Sequence, residues 1–243
     1  IDRAVALYLS LFAEDPEDNT AVKSLVAIYE TSGRRGDLLE LKRRQIRAAK
    51  STPRKVALLR EAALLQRELG DDAGCVDTLR DALTLDPRDQ GIVEELVRQF
   101  ESARRFDDLA TLLADQATRA EGAGERGPAA ELWTRAAQVA ESKLADQDGA
   151  IEHYRKVIAL EPSIPALDAL ARLSSARGDN AGAADHLEHL RALVDAGVRP
   201  SNSLRLADAL LAAGKGDAAR KCLEETVQSD PGAEAVRARL AGI

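Results

Sequence analysis

Two histidines stand three residues apart in DHLEHL, His186 and His189, and with Asp185 or Glu188 beside them they have the spacing that can hold a metal ion on one helix face. No third histidine or cysteine is nearby, since the remaining histidine is His153, so the pair reads as the solvated outer face of a helix. A second candidate is ELGDDAGCVDTLRDALTLDP, residues 68–87, with a glycine turn, two adjacent aspartates, a cysteine and a further aspartate. GKGD at 214–217 has the wrong spacing to cradle phosphates, and no G-x-x-x-x-G-K-[ST], G-x-S-x-G or H-E-x-x-H occurs. Cys75 and Cys222 have no companion cysteines at metal-ligand spacing and read as buried thiols. No catalytic residue, cofactor or metal is expected.

The basic residues form one group above background. Between Arg34 and Arg60 the chain carries Arg34, Arg35, Lys42, Arg43, Arg44, Arg47, Lys50, Arg54, Lys55 and Arg60 against Asp37 and Glu40, a local net charge of +8 in a chain of −7. Within it, Arg43, Arg44, Arg47, Lys50, Arg54 and Lys55 make a basic docking patch for an acidic partner, weighed against a merely solvated helix face. Nucleic acid is disfavoured because no aromatic residues interleave the basic ones to stack on bases.

The elements that must position these residues are legible in composition and period. Hydrophobic residues make up 45% of the 243 and aromatics 3%, so the core is built from Leu, Ala and Val, which suits closely packed helices. No apolar run is long enough for a membrane span. Arginine outnumbers lysine and alanine is abundant, pointing to a GC-rich bacterial genome; the opening IDRAVALYLSLF has the look of a fragment boundary, leaving cytoplasm, slightly favoured, periplasm and envelope all open.

Pro16, Pro53, Pro87, Pro162 and Pro231 are separated by 37, 34, 75 and 69 residues, which one period of 34 to 37 explains. Twelve residues before each stands Ala4, Leu41, Cys75, Ala150 or Ala219, with Ala183 at the same distance before Asp195. Four residues after these lie Tyr8, Gln45, Leu79, Tyr154, Leu223 and Leu187, on the same helical face. Upstream, a second face recurs six times: Val22, Leu25, Val26, Tyr29; Leu59, Ala62, Ala63, Gln66; Val93, Leu96, Val97, Phe100; Trp133, Ala136, Ala137, Ala140; Leu167, Leu170, Ala171, Ser174; and Ser203, Leu206, Ala207, Leu210. GDDAGC, GDNAGA and GKGDAA are then one helix-stop, helix-start turn written three ways, and the cysteine is a small packing residue.

This pattern resembles the tetratricopeptide repeat, a helix-turn-helix unit of 34 residues. The resemblance implies an all-α fold, an α-solenoid in which stacked units wind into a right-handed superhelix. The expected organisation is one solenoid over 1–243: the second helix of a truncated repeat at 1–18, repeats at 19–52, 53–87, 88–121, 124–162, 163–195 and 196–231, and the start of a further or capping helix at 232–243. Leu41 and Leu109 place bulk at the small position, so their repeats should open slightly. GRRG at 33–36 is read as adding three residues to its turn, and EGAGERGP at 121–128 as a longer, looser connection and the place for a hinge.

For function, the resemblance implies a non-catalytic scaffold that holds a peptide or partner protein, acidic or of mixed charge, on the concave face lined by first helices. The residues expected to point into that groove are Lys23, Arg60, Glu94, Arg98, Thr134, Gln138, Asp168, Arg172 and Asp208. A Lys and Asn carboxylate clamp, known in one subset of the family, is missing, because Lys23 is followed four residues on by Ala27 and Arg60 by Leu64. The alternatives are the repeat region of a larger enzyme or regulator, and a cell-envelope assembly or secretion factor. Apolar faces at the terminal helices, including residues 2–14, would allow self-association.

Overall fold

The computed structural model describes residues 2–16, 18–195 and 197–243; Ala196, which opens one expected repeat, lies outside them with Ile1 and Glu17. The described residues form helices and turns with no strand. The helices are α1 (Asp2–Glu14), α2 (Asn19–Thr31), α3 (Arg35–Ala48), α4 (Thr52–Glu68), α5 (Asp72–Leu85), α6 (Gln90–Ser102), α7 (Phe106–Gly122), α8 (Arg126–Val139), α9 (Gln147–Leu160), α10 (Ile164–Ala176), α11 (Asn180–Leu193), α12 (Arg199–Ala212), α13 (Gly216–Ser229) and α14 (Glu234–Ala241). They divide into two compact units, Ile1–Arg105 and Phe106–Ile243.

About half of the helices stop where one residue turns left-handed. Gly33, Gly70, Gly124, Gly178 and Gly214 have φ between +68° and +78°, and Arg104 and Ala145 reach +56° and +54° without being glycine. At Gly70 the turn lets Asp71 N–H donate back to Gln66 O at 2.8 Å, satisfying a carbonyl that the helix end leaves open. Asp71 then starts the next helix, its carboxylate accepting from Gly74 N–H at 2.9 Å. Asp146 on Gly149 and Asp179 on Gly182 repeat the cap at 3.0 and 2.9 Å. A Cβ on Gly74 would collide with the Asp71 carboxylate, so the second glycine of GDDAGC is there to let the cap close.

Five residues beyond the left-handed turn the chain needs a side chain that fits between two helices. Cys75, Ala150, Ala183 and Ala219 fill that place and are fully buried, 0 or 1% exposed. In the second unit Ala171 and Ala207 share one core with Ala183, Ala219, Leu187, Leu206 and Leu223. In the first, Val5 and Phe12 of α1 pack with Leu25 and Tyr29 of α2 and Leu38 and Leu41 of α3.

Two features of the chain differ from the spacing-based expectation. The turn at Gly33 is no longer than the others, running from Ser32 to Arg34, so GRRG holds no insertion. The residue five beyond Gly33 is Leu38, and Leu38 rather than Leu41 is the counterpart of Cys75. The extra residues are instead one added turn at the start of α4, which has 17 residues where α2 and α6 have 13. Pro53 sits inside that first turn, whereas Pro87 lies in the connection before α6, and a proline suits either place. The α2–α3 hairpin, with Leu38 at the small position, is the looser contact: α3 packs more extensively on α4 than on α2.

The second difference is at 121–128. α7 continues through Gly122, Gly124 turns left-handed and Glu125 N–H donates to Ala120 O at 2.9 Å, so this is a tight turn rather than a loose connection. α7 and α8 are among the most extensively packed pairs in the chain. Arg126, in the first turn of α8, also reaches Leu160 O at the end of α9 at 3.0 Å. The boundary between compact units falls instead between Arg105 and Phe106.

Candidate functional site

The first helices of the hairpins carry rows of charged residues, and their partners are each other. In the second unit Arg172 of α10 pairs with Glu141, in the turn Ala140–Leu144 that follows α8, Arg205 of α12 with Asp168 of α10 at 2.6 Å, and Arg239 of α14 with Asp208 of α12 at 2.6 Å. In the first unit Arg60 of α4 reaches Asp89, at the cap of α6, at 3.2 Å, and Arg67 meets Glu95 of α6, which Arg98 also holds. Burial alone would raise the Glu95 carboxyl, but bonds from Arg98 and Gln99 and the charge of Arg67 hold it below the usual carboxylate range.

Of the nine residues expected on this face, Arg60, Arg98, Asp168, Arg172 and Asp208 belong to these pairs. Glu94 lines a cavity of about 430 Å³ with Arg60, Arg67, Glu95 and Arg98. Lys23 and Gln138 are exposed on α2 and α8, while Thr134 turns its hydroxyl to Ala130 O at 2.8 Å on its own helix. Arg67, Glu95, Glu141, Arg205 and Arg239 were not singled out from sequence. Paired charges lie 28, 31, 37 and 31 residues apart, scattered around one repeat length, so the period by itself does not pick them out.

The basic patch splits into unlike parts. Arg43, Arg44 and Arg47 are exposed on α3, and Arg44 and Arg47 share Glu40 at 3.5 Å. Lys50 stands in the connection, and Arg54 and Lys55 lie in the added turn of α4, where Arg54 is exposed and makes no ion pair among the described residues. Among the described residues no three His, Cys, Asp or Glu side chains group to hold a metal ion, and no helix is long and apolar enough to cross a membrane. On α1, Leu7 and Leu11 are exposed.

The family model described as tetratricopeptide repeat matches residues 130–164, spanning α8, α9 and the link to α10. The chain carries the tetratricopeptide repeat. Among solved structures, that of Naa15/Naa10 bound to HypK-THB is similar to 97% of this chain over 35% of its own length, at 15% identity and a TM-score of 0.51, a likeness of fold. PilF of Pseudomonas aeruginosa aligns with all of this chain and 99% of its own at 13% identity and a TM-score of 0.41. TTC0263, a thermophilic tetratricopeptide-repeat protein of Thermus thermophilus, aligns with 77% of this chain and 97% of its own at 17% identity and a TM-score of 0.33. No curated protein matches.

Within the matched tetratricopeptide repeat, Trp133 and Tyr154 do more than pack. The Trp133 indole N–H donates to Glu121 of α7, His153 of α9 stacks on its ring at 5.0 Å, and the Lys156 ammonium lies 4.4 Å from the ring centre. Tyr154 O–H donates to Glu141 at 3.3 Å, and burial together with that carboxylate pushes the phenol up to about 12. Glu141 serves both Tyr154 and Arg172 from within Ala140–Leu144, which is wound as a π-helical turn ahead of left-handed Ala145. Burial also raises the Cys75 and Cys222 thiols, so neither is activated as a nucleophile.

Proposed function

We propose that this chain is a non-catalytic scaffold that binds a peptide or partner protein of acidic or mixed charge along the faces made by the first helices of its repeats. The tetratricopeptide fold is one built for holding other proteins, and stacked helix pairs present a continuous surface rather than a closed pocket. The observation that carries the reading is the row of exchangeable ion pairs, Glu141–Arg172, Asp168–Arg205 and Asp208–Arg239, running from one first helix to the next.

Such pairs are weak at a solvated surface, worth about 0 to 1 kcal/mol each, so a ligand carboxylate can replace Asp168 on Arg205 or Asp208 on Arg239 at little cost. A ligand that presents both signs at a matching spacing gains at several positions at once. The donors and acceptors are held in register by buried cores beneath them, which limits the entropy lost on binding.

The test compares this chain with a variant carrying Arg60→Gln, Arg98→Gln and Arg172→Gln, both immobilised and exposed to lysate of the source cell, with mass spectrometry on the eluates. Glutamine keeps the stems and avoids setting a new anion beside Asp89, Glu95 and Glu141. A protein retained by the first and lost by the second supports the reading. Identical eluates contradict it.

A further inference from the structure

The second unit carries a cavity of about 510 Å³ that none of the ion-paired residues lines. Its apolar walls are Ile158, Ala159 and Pro162, at and just beyond the end of α9, Leu167 of α10, and Ala192 and Leu193 at the end of α11. Leu167 belongs to the buried core and Ile158 packs against that core, whereas Leu193 keeps 41% of its surface in water. The volume falls within the range of small-molecule sites, about 300 to 1,000 Å³.

Two polar side chains complete the lining, Arg155 and His189, both exposed. Arg155 stands four residues ahead of Ala159 on α9, and His189 four ahead of Leu193 on α11, one helical turn from the apolar lining in each case. Both act on His186 of α11, whose imidazole is held below its usual value by burial first and then by Arg155 and His189, against Asp185 and Asp179. The two therefore share one end of the cavity. Arg191, on the same helix as His189, is engaged by Glu225 at 3.2 Å, but Arg155 and His189 make no ion pair among the described residues.

The apolar end offers little to a peptide backbone. Arg126 already donates to Leu160 O at 3.0 Å and Ala159 O at 3.4 Å at the end of α9, and Arg199 to Val194 O at 3.4 Å beyond α11. A peptide lying there would bury N–H groups with few acceptors to receive them, whereas a hydrocarbon chain brings no polar group to satisfy. The ligand that fits is apolar along its length and anionic at one end. We propose that this cavity binds a single-chain fatty carboxylate of medium length, its hydrocarbon against Ile158, Leu167 and Leu193 and its carboxylate on Arg155 and His189. The site goes beyond the reading of the first-helix faces, and neither depends on the other.

The test is an NMR titration of the full chain, with its Ile and Leu methyls labelled, using octanoate, decanoate, dodecanoate, decyltrimethylammonium and the peptide acetyl-Ala-Leu-Leu with a free C-terminus. Decanoate is expected to move the methyls of Ile158, Leu167 and Leu193 to saturation, with each added methylene along the series tightening binding about two- to fourfold. Arg155→Gln, at an exposed position, should weaken decanoate binding about tenfold, the loss of one charge-assisted hydrogen bond. Decyltrimethylammonium should bind at least about tenfold more weakly than decanoate, since it sets a cation beside Arg155. No saturating shift with decanoate up to about 5 mM overturns the proposal, as does decanoate binding that Arg155→Gln leaves unchanged. Equal binding of the ammonium would reduce the site to a patch without charge selection, and tighter binding of the peptide would assign it to a protein chain end; either result contradicts a fatty carboxylate.

Discussion

Arg205 on α12 donates to Asp168 on α10 at 2.6 Å across 37 residues of sequence, and each side chain keeps 47% of its surface in water. The pair links neighbouring first helices without being buried between them. A double-mutant cycle with Arg205→Ala and Asp168→Ala should return a coupling of about 0.2 to 1 kcal/mol that shrinks in high salt. A coupling of several kcal/mol, insensitive to salt, would mean that these charges are structural and not available to a ligand.

Ala145 and Gly178 close equivalent turns with φ of +54° and +77°. Ala145 carries the steric cost of a Cβ in the left-handed region, and Gly178 avoids it. Ala145→Gly is therefore expected to stabilise the chain by up to about 1 kcal/mol, and Gly178→Ala to destabilise it by about 1 kcal/mol, as read from urea midpoints. Shifts of the same sign at both positions would show that the turns are not equivalent.

Asp71 caps α5 only because Gly74 leaves room for its carboxylate. Asp71→Ala and Gly74→Ala should each cost about 1 kcal/mol, and the double variant should cost little more than either alone, since both remove one cap. Full additivity in thermal or chemical unfolding would separate the two residues.

His153 titrates below its ordinary value of 6.5 because it is partly buried against Trp133, with Lys156 pushing the same way and Glu152 and Asp146 opposing. The unfolded chain takes up this proton at higher pH than the folded one, so stability falls as pH drops below the unfolded value and the loss is complete below the folded one. His186, also lowered by burial, adds to the same slope. Unfolding midpoints between about pH 7.5 and about pH 5 should decline, and His153→Gln should flatten the decline. Emission of Trp133, the one tryptophan, should be quenched as the folded imidazole takes up its proton, at a pH below the ordinary histidine value of 6.5. An unchanged slope in His153→Gln would place the pH dependence elsewhere.

Much of the fold was legible because small residues and capping aspartates recur at fixed offsets: Cys75, Ala150, Ala183 and Ala219 all lie where the period put them. Pro53 misled because proline fits both the connection before a helix and its first turn, which shifted the expected small position from Leu38 to Leu41. Arg104 and Ala145 were invisible as turn residues, since only glycine advertises a left-handed conformation. Asp146–Gly149 is a further copy of the Asp71–Gly74 cap, hidden behind an alanine. On the candidate face, Arg60, Arg98, Asp168, Arg172 and Asp208 were read singly. Their pairing depends on the lateral offset between helices, which side-chain periodicity within one helix does not encode.

Site-specific photo-crosslinking puts the first-helix assignment most directly at risk. Gln138 on α8, a first helix, and Arg220 on α13, a second helix, are both exposed, so a benzophenone side chain at either position disturbs no core. Irradiated in lysate of the source cell, position 138 should yield a discrete protein adduct and position 220 none. Adducts from position 220 alone would contradict the proposed binding face.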